Sequence, residues 1–185
     1  MKFKYLEENI YKLRTKNEKY LKKKVEHSLL AKSLHWVFIV MFGYGVIKQI
    51  ESKEQLNDTE LLKTEVIFAL IFLAFIVLRF IYMKKKYKTS LPSDTPTLHR
   101  LAAKFIHILM YVTLSGIAMS GLGIGFLFWL GYQNSYLIEF TIWSHEVFFS
   151  AAIWLISLHV LAAIYHRVRH DFVWSSMVPF FKEKS

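Results

Sequence analysis

The chain contains no cysteine among its 185 residues. Disulfides, iron–sulfur clusters, thiolate metal sites and cysteine nucleophiles are therefore excluded, and any metal has to be held by histidine or oxygen ligands. The sequence also lacks a glycine-rich phosphate loop and a recognisable nucleophile–base arrangement. A stand-alone enzyme is thus not the expected function, whereas an electron-transfer protein or an oxidoreductase subunit remains open.

Acidic residues are few, with 14 aspartates and glutamates against 24 lysines and arginines, which gives a formal net charge of +10. In a water-soluble protein this excess would raise nucleic acid as a partner. No recognised nucleic-acid-binding motif accompanies the charge, so we expect no nucleic-acid partner. Membrane topology explains the lysines and arginines better, as their positions along the chain show.

Hydrophobic residues make up 54% of the chain and form four long runs separated by charged segments. Runs of this length are typical of helices that cross a lipid bilayer. We place the four spans at about residues 29–50, 64–83, 101–132 and 143–170. The sequence therefore predicts an all-α membrane protein, a four-transmembrane-helix bundle that occupies residues 29–170.

Two charged segments flank the predicted bundle. Residues 1–28 form a basic N-terminal extension, in which Phe3, Leu6, Ile10 and Leu13 recur at helical spacing. We expect an amphipathic helix there, on anionic lipid headgroups or against a partner subunit, with a solvated basic tail as the alternative. Residues 171–185 form the second segment, a cytoplasmic tail.

Lysine and arginine are concentrated in the N-terminal extension, in the loop at residues 84–104 and in the segment from Arg167 onwards. The two other connections are not rich in these residues. By the positive-inside rule, we predict that both termini and the middle loop face the cytoplasm. The expected location is a bacterial inner (plasma) membrane or an equivalent energy-transducing membrane.

The third run is dense in small residues and has Gly121 and Gly125 at GxxxG spacing. Small residues allow two helix backbones to approach closely within a membrane. We therefore predict close helix packing at these glycines, with a re-entrant or interfacial tail after them.

Histidines within the spans carry the functional argument, because an ionisable group in hydrocarbon is costly and usually faces a partner or a cavity. His145 and His159 are 14 residues apart, which corresponds to about 21 Å along a helix. On the predicted topology, His145 is near the outer face. The inner half of the bundle receives four histidines, namely His35, His107, His159 and His166.

The other histidines, His27, His99 and His170, fall in basic segments, and we predict that they are surface residues.

The inner histidines suit haem b better than zinc. Zinc prefers three or four compact ligands, usually with carboxylates or cysteines, and the inner region has no intramembrane carboxylate. Haem needs only two axial imidazoles on opposite helices, and its macrocycle fits an apolar, aromatic bundle interior. Arg79, Arg100 and Lys104 lie on the side where haem propionates need cationic partners. For each cation alone, snorkelling at the membrane boundary is the simpler interpretation.

Several short motifs occur in a characteristic order: LHW at 34–36, VLRF at 77–80, HILMY at 107–111, HE at 145–146, LHVLAA at 158–163 followed by His166, and MVP at 177–179. Over residues 29–179 this set resembles the bacterial cytochrome b561 family of four-helix, b-type haem proteins. Cytochrome b subunits of membrane hydrogenases and formate dehydrogenases are more distant relatives in this comparison.

The resemblance implies that His35 and His159 hold an inner haem, and that His145 shares an outer haem with a second-span histidine. Here the expected second-span position is Glu65, and the second span has no histidine. Lys104 also stands where the family often has another histidine, just before His107. The outer haem is then absent, or five-coordinate, or completed by a neighbouring chain. We favour one secure haem, with His145 as the ligand of any second one.

The expected function is therefore a membrane b-type cytochrome that carries single electrons between a quinone pool and a partner redox protein. A quinone site could draw proton donors from His107, Lys104 or His166, because histidine titrates in the useful range. The protein would act as a subunit of a respiratory complex or as a homodimer. The alternative is a membrane anchor or assembly subunit of a respiratory complex that has lost one or both haems.

Overall fold

The protein is built from α-helices. The computed structural model describes residues 2–25, 27–48, 53–86, 91 and 95–181. Within these residues the helices are α1 (Lys2–Val25), α2 (Leu29–Ile47), α3 (Thr59–Lys86), α4 (Thr97–Trp129), α5 (Tyr136–Arg169) and α6 (Val173–Met177), together with a 3-10 helix at Lys53–Asn57. Helices α2 to α5 are each long and apolar enough to cross a membrane. The predicted all-α bundle with four spans is confirmed.

Helices that follow one another in the sequence also pack against one another. The closest packing joins α4 to α5, followed by α3 with α4 and α2 with α3. Packing between helices that are consecutive in the sequence is typical of antiparallel neighbours in a helical bundle. The short α6 turns back at the end of α5 and contacts α5, α2 and α1, so the C-terminal segment belongs to the fold.

Three helices begin earlier than the hydrophobic runs predicted. Helix α3 starts at Thr59, α4 at Thr97 and α5 at Tyr136, ahead of the predicted positions 64, 101 and 143. The carboxylate of Asp58 accepts hydrogen bonds from the amides of Glu60 and Leu61, at 3.0 and 3.1 Å. Ser135 accepts from the amide of Ile138 in the same way. Because these caps satisfy the free amides of a first turn, α3 and α5 extend beyond their apolar runs.

The bundle interior contains two hydrophobic clusters. The larger lies between α2, α3, α4 and α5 and consists of Phe38, Phe72, Ile76, Leu114, Ala118 and Ala152. Within it the rings of Phe38 and Phe72 stack at a centroid distance of 4.9 Å. The smaller consists of Leu56, Phe128 and Ile138 and joins the 3-10 helix to the end of α4 and the start of α5. The larger cluster thus lies next to the turn of α2 that carries His35.

The first turns of α2 are held from two sides. The hydroxyl groups of Ser28 and Tyr82 are hydrogen-bonded at 2.8 Å, which joins the start of α2 to the end of α3. The indole of Trp36 donates a 3.2 Å hydrogen bond to the carbonyl of Met177, and its ring packs 5.1 Å from that of Phe180. The position of His35, the neighbour of Trp36, is therefore defined by contacts with the C-terminal segment.

The N-terminal extension contains the predicted helix, α1, over Lys2–Val25. The side chains of Leu6, Ile10 and Leu13 on this helix are all exposed. Phe3, the fourth residue of the predicted apolar face, lies outside the side chains that the structure describes. The placement of α1 on anionic lipid headgroups or against a partner subunit therefore stays a prediction.

Small residues allow α4 to approach its neighbours, as the sequence predicts. A methyl group on Gly125 would collide with the side chain of Val66 on α3, and one on Gly121 would touch the ring of His145 on α5. The GxxxG spacing does not include Gly116, where an added Cβ would lie 2.6 Å from the ring of Phe148. Helix α4 then continues without interruption to Trp129, so a separate re-entrant segment does not begin after these glycines.

Gly116→Ala should destabilise the bundle, because the added methyl group must displace the ring of Phe148 from the interface between α4 and α5. Overpacking of this kind costs about 1–3 kcal/mol. Gly43→Ala on α2 is the matched control, since nothing lies within 4 Å of its added Cβ. Thermal unfolding in detergent should show a lower midpoint for Gly116→Ala and an unchanged or higher midpoint for Gly43→Ala. Equal midpoints for the two variants would contradict the packing assignment.

Candidate functional site

Three of the predicted inner histidines meet inside the bundle. His35 of α2 lies 6.4 Å from His159 of α5, and His107 of α4 lies 5.1 Å from His159, measured between ring centroids. His35 and His159 are half-buried, whereas His107 is more exposed. We call His35, His107 and His159 the histidine cluster.

The distance between His35 and His159 suits two imidazoles on opposite sides of one metal ion. A metal–nitrogen distance of about 2 Å puts two such ring centroids roughly 6 Å apart, close to the observed 6.4 Å. The separation of 5.1 Å between His107 and His159 is shorter than this. In addition, the Nδ1 atom of His107 lies 2.7 Å from the carbonyl of Ala103, to which it donates as Nδ1–H. His107 is therefore a neighbour of the pair rather than its equal.

The histidine cluster does not form a site for a bare ion. Among the residues that the structure describes, no group of three or more histidine, aspartate or glutamate side chains is arranged to hold a metal. Zinc usually takes three or four protein ligands. A pair of facing imidazoles matches instead the two axial positions of haem, whose ring supplies the other four ligands.

Two buried polar atoms near this pair have no hydrogen-bond partner in the described part of the chain, Nδ1 of His35 and Nε of Arg79. The guanidinium carbon of Arg79 lies 5.5 Å from the ring centroid of Phe38. Buried polar groups are normally satisfied, so each unpaired one needs an explanation. A carboxylate beside Arg79 would provide one for the guanidinium group, and Arg79 together with the facing pair of imidazoles therefore fits a haem and its propionate.

Of the other predicted cationic partners, neither joins the cluster by a described contact. Lys104 is exposed. Arg100 donates through Nε and Nη2 to the carbonyl of Thr95, at 3.1 and 2.9 Å, and so closes the turn before α4. Arg79 is therefore the cation that the structure associates most closely with the histidine pair.

His166 has a hydrogen-bond partner outside the histidine cluster. Its Nδ1 atom lies 2.6 Å from a carboxylate oxygen of Asp171, and its ring packs against that of Tyr165. Asp171 also accepts a hydrogen bond from the amide of Val173, at 3.2 Å. His166 thus connects the end of α5 to the start of α6, and a shared quinone site with His107 and Lys104 stays a prediction.

His27 corrects one expectation. We predicted a surface residue, but only 4% of His27 is exposed, whereas His99 and His170 are exposed as expected. Burial lowers the pKa of His27 below its ordinary value of 6.5, and the positive charges of Lys32 and Arg79 lower it further. The sequence contained little signal for this, because His27 precedes the apolar run and becomes buried only when the helix ends assemble.

At the opposite end of the bundle, the ring of His145 is oriented by Ser120. The Ser120 hydroxyl donates to the carbonyl of Gly116 at 2.6 Å, and its oxygen lies 2.9 Å from Nδ1 of His145. The contact between Nδ1 of His145 and the Ser120 hydroxyl joins α5 to α4 and fixes the orientation of the imidazole ring. Nothing in the sequence pairs Ser120 with His145, and only the packing of α4 on α5 reveals it.

His145 and Glu65 line one cavity. The cavity has a volume of about 240 Å³ and lies between α2, α3, α4 and α5, with Gly45, Gly121 and Phe149 also in its wall. We call it the Glu65 cavity. The structure thus brings together His145 and the residue that stands at the expected ligand position. A glutamate opposite a histidine does not provide the two imidazoles of a low-spin haem, so these residues do not fit a second haem of the same kind.

Residues 26–180 match the family described as prokaryotic cytochrome b561. The chain belongs to this family. It is accordingly a membrane b-type cytochrome of electron transfer, and its four membrane-length helices make it an integral bacterial membrane protein. No curated protein and no solved structure shows significant similarity to the chain.

His27 should make this cytochrome sensitive to acid. Its pKa is lowered on folding, so the unfolded chain binds more protons once the pH falls below about 6.5, and stability is lost in that range. His27→Gln should reduce the decrease in thermal midpoint between pH 7.5 and pH 5.5. His99→Gln, which changes an exposed histidine, should leave that decrease unchanged. The assignment fails if His27→Gln and the parent protein lose equal stability over this range.

Proposed function

We propose that the cytochrome holds one haem b between His35 and His159 and exchanges single electrons with a quinone or a redox protein. The observation that carries the proposal is the 6.4 Å separation of the two imidazole rings, contributed by α2 and α5. Haem supplies the one-electron couple, Fe(III) to Fe(II). The side chains of the chain hold it, exclude water from it and set the charge around it.

Each residue near the pair has a separate task. His35 and His159 would hold the haem iron through their imidazole nitrogens. Arg79 provides a buried positive charge for a propionate, and its Nε proton has no other described acceptor. The stacked rings of Phe38 and Phe72 form the apolar wall on the side of the larger hydrophobic cluster. A low local dielectric strengthens the interaction between the guanidinium group and the carboxylate.

The proposed haem count is one, because Glu65 faces the second site. A carboxylate is a poor partner for His145 in a bis-imidazole electron carrier. Electrons would then enter and leave near the histidine cluster, at the membrane side that we predict to be cytoplasmic. The proposal thus describes a cytochrome whose single haem serves one side of the bilayer.

His159→Ala should abolish the b-type absorbance, because one of the two proposed iron ligands is lost. His145→Ala should leave the haem spectrum intact. Dithionite-reduced minus oxidised spectra of the purified protein measure the first outcome. Pyridine haemochrome assays should give about one haem per chain for the parent protein and for His145→Ala. If His145 proves essential and His159 dispensable, the assignment of the ligand pair is wrong. His99→Ala serves as a control for general effects of histidine removal.

Arg79→Gln should weaken haem retention and lower the midpoint potential, since the loss of a buried positive charge favours the oxidised iron. The matched control is Arg100→Gln, because Arg100 is engaged with the carbonyl of Thr95. Potentiometric titration measures the first quantity, and haem content after prolonged detergent washing measures retention. Equal changes in the two variants would assign the effect to general surface charge rather than to a propionate contact.

A second candidate function is an anchor or assembly subunit of a larger membrane complex. Two observations favour it: Glu65 at the expected ligand position, and the exposed apolar residues Leu6, Ile10 and Leu13 on α1. The reduced-minus-oxidised spectrum separates the two functions. The complete absence of a b-type band in freshly purified protein would leave the anchor function and exclude the electron carrier.

A further inference from the structure

Helix α1 has a stripe of apolar side chains along one side. Leu6, Ile10 and Leu13 recur at intervals of four and three residues, the spacing that places side chains on one side of an α-helix. They are 57%, 61% and 62% exposed, so the rest of the described chain leaves most of each side chain uncovered. We call these three residues the apolar stripe of α1.

Positive charge borders the apolar stripe on both edges. With 3.6 residues per turn, Arg14 and Lys16 lie about 80° to either side of Leu6 around the helix axis, and both are exposed. The ion pair between Lys12 and Glu8, at 3.0 Å, lies on the far side of the helix. Over its whole length α1 has nine lysines and arginines against three glutamates. Long basic side chains at the edge of an apolar surface can keep their stems in contact with hydrocarbon while their charges reach polar headgroups.

The connection between α1 and the bundle holds this helix close to the membrane boundary. Only three residues separate Val25, the end of α1, from Leu29, the start of α2. Four steps between consecutive Cα atoms span at most about 14 Å. Helix α1 also contacts α6, which follows the end of α5. Because α2 and α5 are both membrane-length helices, α1 lies at the end of the bundle where two spans meet the membrane surface.

We propose that α1 lies along the surface of a membrane that contains anionic phospholipid. The apolar stripe enters the boundary between headgroups and acyl chains, and Arg14 and Lys16 pair with lipid phosphate groups. A protein partner is a poorer match, since lysine is depleted in protein–protein interfaces. A fully solvated helix would leave three large apolar side chains in water. The inference is independent of the proposed haem.

The cysteine-free sequence permits a test with single labelled positions. Ile10→Cys lies within the apolar stripe, whereas Thr15→Cys lies on the opposite side of α1, about 180° from Leu6. Each variant receives an environment-sensitive fluorophore, and the whole protein is placed in nanodiscs of phosphatidylcholine, with or without phosphatidylglycerol. Lipids with a doxyl group on the acyl chain quench fluorophores within the membrane, and iodide quenches those in water. With phosphatidylglycerol, we expect doxyl quenching at position 10 and iodide quenching at position 15.

The lipid headgroup tests the charge recognition. Doxyl quenching at position 10 should be at least about twofold greater with phosphatidylglycerol than with phosphatidylcholine alone. This difference should decrease at about 1 M salt, where the Debye length falls to about 3 Å. Equal doxyl quenching in the two lipids would overturn the proposal. Iodide quenching equal at positions 10 and 15 would indicate a solvated helix, and protection of position 10 from both quenchers would indicate a protein contact. Either result would also overturn it.

Two further variants, each combined with the label at Ile10→Cys, separate the apolar stripe from the rest of α1. Leu13→Gln should reduce doxyl quenching, because it removes apolar area from the stripe. Tyr11→Gln changes an exposed side chain about 140° from Leu6 and should leave doxyl quenching unchanged. Glutamine has a helix propensity close to that of leucine, so the helix itself is preserved. Equal losses in the two variants would refute the assignment of the stripe.

Reduced-minus-oxidised spectra of the same samples separate this inference from the proposed function. A normal haem spectrum without lipid-dependent quenching would refute the placement of α1 and leave the cytochrome assignment intact. Lipid-dependent quenching in a chain without haem would support the placement of α1 and refute the electron carrier.

Discussion

The cost of placing a polar side chain inside a hydrocarbon environment is the constraint on which the arrangement of this bundle depends. His145 meets it through a hydrogen bond with the hydroxyl of Ser120, and His107 meets it through the carbonyl of Ala103. His35 is different, because its buried Nδ1 atom has no partner among the described residues. Backbone and hydroxyl groups thus orient His107 and His145, whereas no such contact satisfies this atom of His35.

The same constraint explains why the two ends of α5 differ. At one end, His159 faces His35 at a distance suited to a shared iron, with the buried charge of Arg79 nearby. At the other end, His145 shares a cavity with Glu65. Two facing imidazoles fit the haem that we propose, whereas an imidazole and a carboxyl group do not provide the same pair of ligands. The family resemblance implies a histidine-ligated haem at each end. Glu65 on α3, in place of the expected histidine, makes the two ends different.

Close packing of α4 against α3 and α5 fixes the relative positions of these helices. Gly116 and Gly125 allow the rings and branched side chains of α5 and α3 to approach the α4 backbone. Ser120, between these glycines, is thereby brought within hydrogen-bond distance of His145. The number and type of the helices followed from hydrophobic run length, but their starts did not. Asp58 and Ser135 cap polar first turns that hydropathy alone assigns to loops.

The sequence by itself determined the class of the protein, the four spans, the family and the residue types available as ligands. These depend on composition, run length and ordered short motifs, which are properties of the chain alone. Only the tertiary structure decided which side chains meet. Ser120 and His145 are 25 residues apart, His166 is paired with Asp171, and His27 is buried beside charges from α2 and α3. Such contacts depend on helix rotation and on the close approach of backbones. The sequence shows that a histidine in a span needs a partner, but it does not identify the partner.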